Sequence, residues 1–429
     1  MDMVFDFYKY FDIVPNENLA ALNAAATEVY DREDSMLPIK IITNPVSDEY
    51  AEERQLQRTV NFSNYRTEKG RLFYSYFSSS EHCREDAGTF NLIVSSDDGG
   101  KTWKNRFLLQ PQNPNSTRTF DNILFGDGTG RMWLFWSQYY GLCDGRGGVW
   151  CAYCDNPDDD EPTFSEPKRI ANGQVSTTPI ILKNGDWLLP LYTFAPHSVH
   201  GCGSPMGFFW HWIPEDQGVR VYRSQDQGET WECISRGINF PYKTFEESCM
   251  IEREDGALWM LIRGRNCTGE TFSYDGGKTW TPPRSNTKYN FPDTHFYFNK
   301  LKSGNILMLA NYKADMYSST GGRNNLTAMI SRDDGATWEG FLMIDEREGS
   351  EQPSFCEGND GFIYINYGRA PCIAGESLMA IVTEEDIFAG KLVNEKSRLR
   401  ILTGKSTGMR NGPNAEYIVK LAKESNIEL

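Results

Sequence analysis

An eight-residue pattern, S-x-D-x-G-x-T-W, occurs four times in this chain, and such repetition restricts the fold more than composition does. It ends at Trp103 in SSDDGGKTW, at Trp231 in SQDQGETW, at Trp280 in SYDGGKTW and at Trp338 in SRDDGATW. The residues are those of a turn. An Asp side chain accepts hydrogen bonds from backbone N–H groups just ahead of it, and the glycine supplies a positive φ. The tryptophan then covers an apolar edge. The pattern therefore reads as architecture and not as chemistry.

A second repeat fixes the period. A glycine-led apolar run recurs as KGRLFYSYFS, TGRMWLFWSQ, NGDWLLPLYT, DGALWMLIRG, SGNILMLANY and DGFIYINYGR, led by Gly70, Gly130, Gly185, Gly256, Gly304 and Gly361. These runs are rich in β-branched and aromatic residues, are of strand length, and are apolar at nearly every position, as strands buried on both faces are. Six units, each with several short strands, predict an all-β chain folded as a six-bladed β-propeller of four-stranded antiparallel blades. The Trp-ending boxes then fall in the outer hairpins. Blade two carries a decayed copy, CDNPDDDEPTFSEP, with Phe164 in the Trp place, and blade six shows none. A propeller also lets 429 residues fold without one oversized core, because each unit buries its face on its neighbours. The expected organisation is an N-terminal extension over 1–50, packed on or closing the ring, and the propeller over 51–429. Within the extension NENLAALNAAATEVYD is helix-like, with Asn16 or Asn18 available as N-cap.

A formal charge of −16 argues against nucleic acid or an anionic membrane as partner. An anionic ligand would require the few basic side chains to be concentrated locally. No apolar run reaches the ~20 residues that span a bilayer. MDMVFDFYKYF lacks the basic and apolar regions of a secretory signal, so the chain as it stands is expected in the cytoplasm, or outside it if a signal has been removed. Of ten cysteines the only tight pair is Cys151 and Cys154, and the set reads as mostly buried thiols. No metal-binding motif and no cofactor motif is present, although a structural calcium stays open, as does the oligomeric state.

Boxes of this form on six blades resemble the sialidase (neuraminidase) superfamily, whose boxes are called Asp-boxes or BNR repeats, over about residues 55–390. The resemblance implies three arginines on a substrate carboxylate. An R-I-P-like stretch opening blade one corresponds to Arg58-Thr59-Val60, which keeps only the arginine. EESCMIEREDGALWMLIRGR follows the family's blade-four pattern closely and supplies Glu247 and Arg263. GRNNLTAMISRDDGATW supplies Arg323 before the blade-five box. Arginine suits this task because its fork matches a carboxylate bidentately and stays charged.

The family also implies a general acid/base aspartate on a loop before the blade-one box. Glu81, Glu85 and Asp86 are available there, and Asp86 has the best spacing. The nucleophile of these enzymes is a tyrosine polarised by a glutamate, an exception among glycosidases. Here Glu247 matches the glutamate, but EGSEQPSFCEG puts Gln352 at the tyrosine's place, and an amide cannot form the glycosyl-enzyme. Another tyrosine (Tyr297, Tyr312 or Tyr367) supplies the oxygen, or Glu247 acts directly with Asp86 as acid, or catalysis is lost and binding kept. His295, in FPDTHFYF, reads as a wall residue of the site or a proton shuttle. His197 and His200 lie on a glycine- and serine-rich loop as possible sugar contacts.

The leading expectation is an exo-acting glycoside hydrolase removing a terminal acidic sugar, sialic acid or a related carboxylated sugar, from an oligosaccharide or glycoconjugate. The alternatives are a propeller with other chemistry, hydrolysis or elimination on uronate- or rhamnose-containing glycans, and a glycan-binding propeller without catalysis.

Overall fold

The computed structural model describes residues 37–46, 50, 55, 57–80, 88–112, 114, 117–140, 147–193, 213–286, 288–318, 321–369 and 375–407. The expected helix in the extension, the acidic candidates Glu81, Glu85 and Asp86, and His197 and His200 lie outside them.

Six antiparallel sheets follow one another along the chain. Blade one holds β2 (Gln57–Arg66), β3 (Leu72–Ser79), β4 (Phe90–Ser96) and β5 (Lys104–Gln110), with β1 (Lys40–Thr43) added outside β5. Blade two holds β6 (Thr117–Gly126), β7 (Met132–Tyr140), β8 (Gly148–Cys154) and β9 (Lys168–Asn172). Blade three holds β10 (Ile180–Ile181), β11 (Trp187–Leu191), β12 (Val219–Ser224) and β13 (Glu232–Ile238). Blade four holds β14 (Lys243–Glu252), β15 (Leu258–Gly264), β16 (Cys267–Ser273) and β17 (Arg284–Asn286). Blade five holds β18 (Tyr297–Lys300), β19 (Ile306–Asn311), β20 (Leu326–Ser331) and β21 (Glu339–Asp345). Blade six holds β22 (Ser350–Glu357), β23 (Ile363–Arg369), β24 (Glu376–Val382) and β25 (Arg398–Lys405). The glycine-led runs are the second strands, and β3, β15 and β23 are buried along their whole length.

The core lies between blades. Six apolar clusters each join two neighbouring blades, and one of them closes the ring by packing Tyr364, Met379 and Ile381 of blade six on Leu72, Tyr74 and Leu92 of blade one. The same seam is stitched by polar bonds. Tyr74 Oη donates to Leu378 O at 2.7 Å, Tyr76 Oη to Thr403 O at 2.9 Å, and Arg58 N to Ser406 Oγ at 2.8 Å. Cys151 and Cys154 point into different clusters on opposite faces of β8, which the two-residue period of a strand imposes on positions three apart. Both thiols are free.

The boxes close the hairpins between third and fourth strands. In blade four Ser273 Oγ donates to Asp275 Oδ1 at 2.9 Å and accepts from Gly277 N at 2.9 Å, while Thr279 N donates to Oδ1 at 2.9 Å. Trp280 Nε1 donates back to Gly277 O at 3.0 Å. Blade two keeps this wiring with other residues. Asn156 Oδ1 accepts from Thr163 N at 2.9 Å, and Phe164 meets Phe107 edge to face. In blade six a short helix, α1 (Glu384–Ala389), takes the place of the box. Its Asp386 accepts from Thr383 N at 2.8 Å, Val393 N at 2.6 Å and Asn394 N at 2.9 Å.

Candidate functional site

The strand registers place the site. Ser273 of the blade-four box lies opposite Leu258, at the start of β15, whereas Arg263 lies five residues on. At roughly 3.3 Å per residue that separates box and arginine by about 16 Å along the strand. The box end and the end where the first strands begin are opposite ends of the propeller.

At the second end the first strands are irregular in a shared way. Register shifts interrupt β6 after Phe120, β14 after Lys243 and β22 after Glu351. A non-glycine residue with positive φ sits in each bulge: Asp121 (49°), Glu246 (56°) and Gln352 (54°). Bulges re-aim side chains, and this conformation costs a β-carbon-bearing residue energy that the surrounding fold must supply. These three strands belong to alternate blades, and β2 of blade one is interrupted as well, after Val60.

The bulge of β14 turns Glu247 onto Arg263 of the adjacent strand. Arg263 Nη1 donates to both Glu247 oxygens at 2.9 Å, Nε donates to Asp293 Oδ1 at 2.9 Å, and Nη2 donates to Asp293 O at 3.1 Å. Thr244 Oγ1 adds a 2.7 Å bond to Asp293 Oδ1, and the guanidinium lies 4.5 Å over the Phe245 ring. His295 Nδ1 is 3.1 Å from Glu247 Oε2. Burial alone would raise the Glu247 carboxyl, but the Arg263 charge and the His295 and Arg263 hydrogen bonds outweigh it and hold the group down at about 2. The preceding residue has the opposite fate. Glu246 is buried and pushed up by that burial, with its ion pair to Lys243 only partly opposing.

Of the residues singled out in the sequence, Glu247, Arg263 and His295 are joined in one bonded group. Arg323 Nη1 pairs with buried Glu351, the neighbour of Gln352. The Gln352 amide oxygen is buried without a hydrogen-bond partner among the described residues. Arg58 is buried in the seam between blades one and six, 4.4 Å over the Tyr76 ring. The three tyrosines considered as substitutes have other partners: Tyr297 Oη bonds Thr178 Oγ1 at 2.9 Å, Tyr367 Oη donates to Asp345 Oδ2 at 3.1 Å, and Tyr312 stacks on Phe341. Sequence reading passed over Asp293, Thr244 and Tyr192. Tyr192 is buried near enough to Glu247 and Asp121 that, after burial itself, their charges raise its hydroxyl further. Asp293 carried a signal only in standing two residues before His295. Among the described residues no group of three or more His, Cys, Asp or Glu could hold a metal ion.

Comparison with known proteins agrees with this architecture. Among solved structures, a protein of unknown function from Dyadobacter fermentans superposes with a TM-score of 0.55 at 14% identity, covering 78% of this chain and 94% of that one. A Hadza microbial sialidase gives 0.56 at 17% identity, over 74% of this chain and 65% of its own length. The leech intramolecular trans-sialidase, solved with 2,7-anhydro-Neu5Ac, gives 0.54 at 14% identity, over 76% and 67%. At such identities the likeness speaks for the fold alone. No curated protein sequence matches the chain. The BNR repeat-like domain family matches residues 70–365, more than half of the chain, and the protein belongs to that family of sialidase-like propellers.

Proposed function

We propose that this protein is an exo-acting glycoside hydrolase that removes a terminal acidic sugar, sialic acid or a related carboxylated sugar, from an oligosaccharide or glycoconjugate. The observation that carries the reading is the buried Glu247–Arg263 pair with His295 against it, at the strand ends that hold the bulges. Glycoside cleavage develops positive charge at the anomeric carbon, and a fixed carboxylate in a water-poor site stabilises it without reorganisation. With its carboxyl held at about 2, Glu247 is ionised at any working pH and is a poor proton acceptor, so its part is electrostatic. Asp86 is assigned as the acid that protonates the leaving oxygen. Arg323, one-third exposed, is the arginine best placed to meet a sugar carboxylate. Arg263 has four hydrogen bonds made and one N–H left to help it. The acidic class of sugar is also what the leech enzyme binds in its solved complex.

Gln352 favours a second reading, cleavage of a uronate-containing glycan without a tyrosine nucleophile, by hydrolysis or by elimination with His295 as base. Incubation with an aryl α-sialoside and an aryl β-glucuronide side by side, followed by aglycone release, separates the two. Release from the sialoside supports the first reading. Release from the glucuronide alone, or ultraviolet absorbance of an unsaturated uronate from a polyuronate, moves the assignment to the second.

A further inference from the structure

The four charged or titratable side chains of the site are not equally placed. The side chains of His295, Arg263 and Glu247 are 1%, 6% and 8% exposed, and that of Asp293 is 31% exposed. A group that a sugar must touch has to reach the surface of the site, and in this constellation Asp293 is by far the most exposed. Its two oxygens differ as well. Oδ1 is pinned by Thr244 Oγ1 and Arg263 Nε, whereas Oδ2 has no partner among the described residues. One oxygen is anchored, which fixes the carboxylate plane, and the other is presented outward. Arg263 binds both carboxylates, so Arg263, Glu247 and Asp293 together carry one net negative charge facing the site. That sign suits a sugar carbon developing positive charge.

Building on the hydrolase reading above, we propose that Asp293 is the carboxylate that meets the sugar and is a catalytic residue, with Glu247 a positioning residue behind it. In the step assigned to it, a water oxygen bonds to the anomeric carbon while the glycosidic C–O bond breaks. Asp293 Oδ2 takes a proton from that water, and the departing oxygen keeps the bonding pair and takes a proton from the general acid of the hydrolase reading, Asp86. Both carboxyl groups then return to their starting states by exchange with solvent. A tyrosine at the place of Gln352 is not needed for this displacement.

The test uses the whole chain and two readouts. Asp293→Asn keeps an oxygen for Thr244 and Arg263 but loses the basic one. On the glycoside that the wild type cleaves, its kcat should fall at least ~100-fold with KM little changed. In Asp293→Ala, azide should enter the vacated space and restore turnover as glycosyl azide, a rescue that a merely structural role would not allow. Thr244→Val, which removes one anchor and no charge, should lower kcat by about tenfold without azide rescue. Wild-type kcat in Asp293→Asn, or in Thr244→Val should the first variant not fold, overturns the proposal. The second readout needs no turnover: calorimetric affinity for a protonated imino sugar bearing a carboxylate should drop about tenfold or more in Asp293→Asn. Equal affinity in both proteins, or no binding to the wild type, overturns the assignment. Silence of the wild type on every glycoside together with Asp293-dependent imino-sugar binding sinks the hydrolase reading and keeps Asp293 as the sugar-facing carboxylate.

Discussion

The two ends of this propeller use aspartate in opposite ways. At the box end Asp98, Asp226, Asp275 and Asp333 each accept from a serine, a threonine hydroxyl and the threonine backbone N–H, and the four copies are nearly superimposable in their wiring. Each carboxylate is local: every partner lies within four residues. A groove of about 450 Å³ opens at this end between blades four and five, but its polar lining is tied up internally, with Trp259 Nε1 and Asn286 Nδ2 both donating to Glu270 Oε1. At the other end blades two, four and six share a bulge, but the side-chain pairing differs from blade to blade. Glu247, Asp293, Asp345 and Glu351 take guanidinium partners, and those of Glu247 and Asp293 lie 16 and 30 residues away. What repeats here is architecture. What fails to repeat is where chemistry is built, because a catalytic group has to differ from its symmetry mates.

The largest expected break in this contrast comes from Arg263→Met. It removes the one cation holding two carboxylates, and a buried charge left without its partner costs about 3–5 kcal/mol. Urea unfolding should show that loss, and an unfolding midpoint equal to wild type would mean that the group is not the pinned cluster described. Acid should attack the same cluster next. The Glu247 carboxyl lies at about 2 in the fold against 4.5 free, so the stability it contributes is complete above about pH 4.5 and disappears as pH falls toward 2. The magnitude is on the order of 3 kcal/mol. Asp275 and Asp333 of the boxes, also lowered, titrate in the same region, so the measurement is the difference between wild type and Glu247→Gln across that window. The gap between the two curves should narrow on acidification, and a constant gap would remove the linkage.

The same contrast explains what was legible beforehand. The boxes, the second strands and the six blades could be read because turn chemistry and strand composition are local properties of the sequence. The decayed copy in blade two was legible for the same reason, since Thr163 and Phe164 kept their places. Glu247 and Arg263 were singled out through the family resemblance, but their pairing with each other was not foreseen. The positive-φ bulges were not, for Asp121, Glu246 and Gln352 carry no glycine to announce them. Asp293 was missed because its part depends on Thr244, 49 residues away, and Arg263, 30 residues away, in an adjacent blade. The six-residue α1 is too short to show a helical period.

A smaller effect should follow from Asp226→Ala at the box end. The side chain is exposed and its hydrogen bonds to Ser224 and Thr230 are individually modest, so a loss of about 1 kcal/mol is expected in urea unfolding. Turnover on the substrate that the wild type cleaves should be unchanged. A loss of kcat out of proportion to stability would break the division between an architectural end and a chemical one.

Gln352→Gly should give the smallest effect on stability, and of opposite sign. Gln352 is held at a φ of 54° with its amide oxygen buried and unpaired, two costs that glycine does not carry. Against them stands the freedom that glycine adds to the unfolded chain. The balance is a gain of about 0.5 kcal/mol, near the resolution of a denaturant curve, so the change in activity is the sharper readout. The function proposed above would account for a strained residue with an unsatisfied acceptor near the start of a first strand, kept to receive a sugar hydroxyl. On that argument Gln352→Gly weakens KM several-fold while the unfolding midpoint rises or stays level. A variant that is both less stable and unchanged in KM would show Gln352 to be ordinary packing, and would leave the site to Glu247, Arg263, Asp293 and His295.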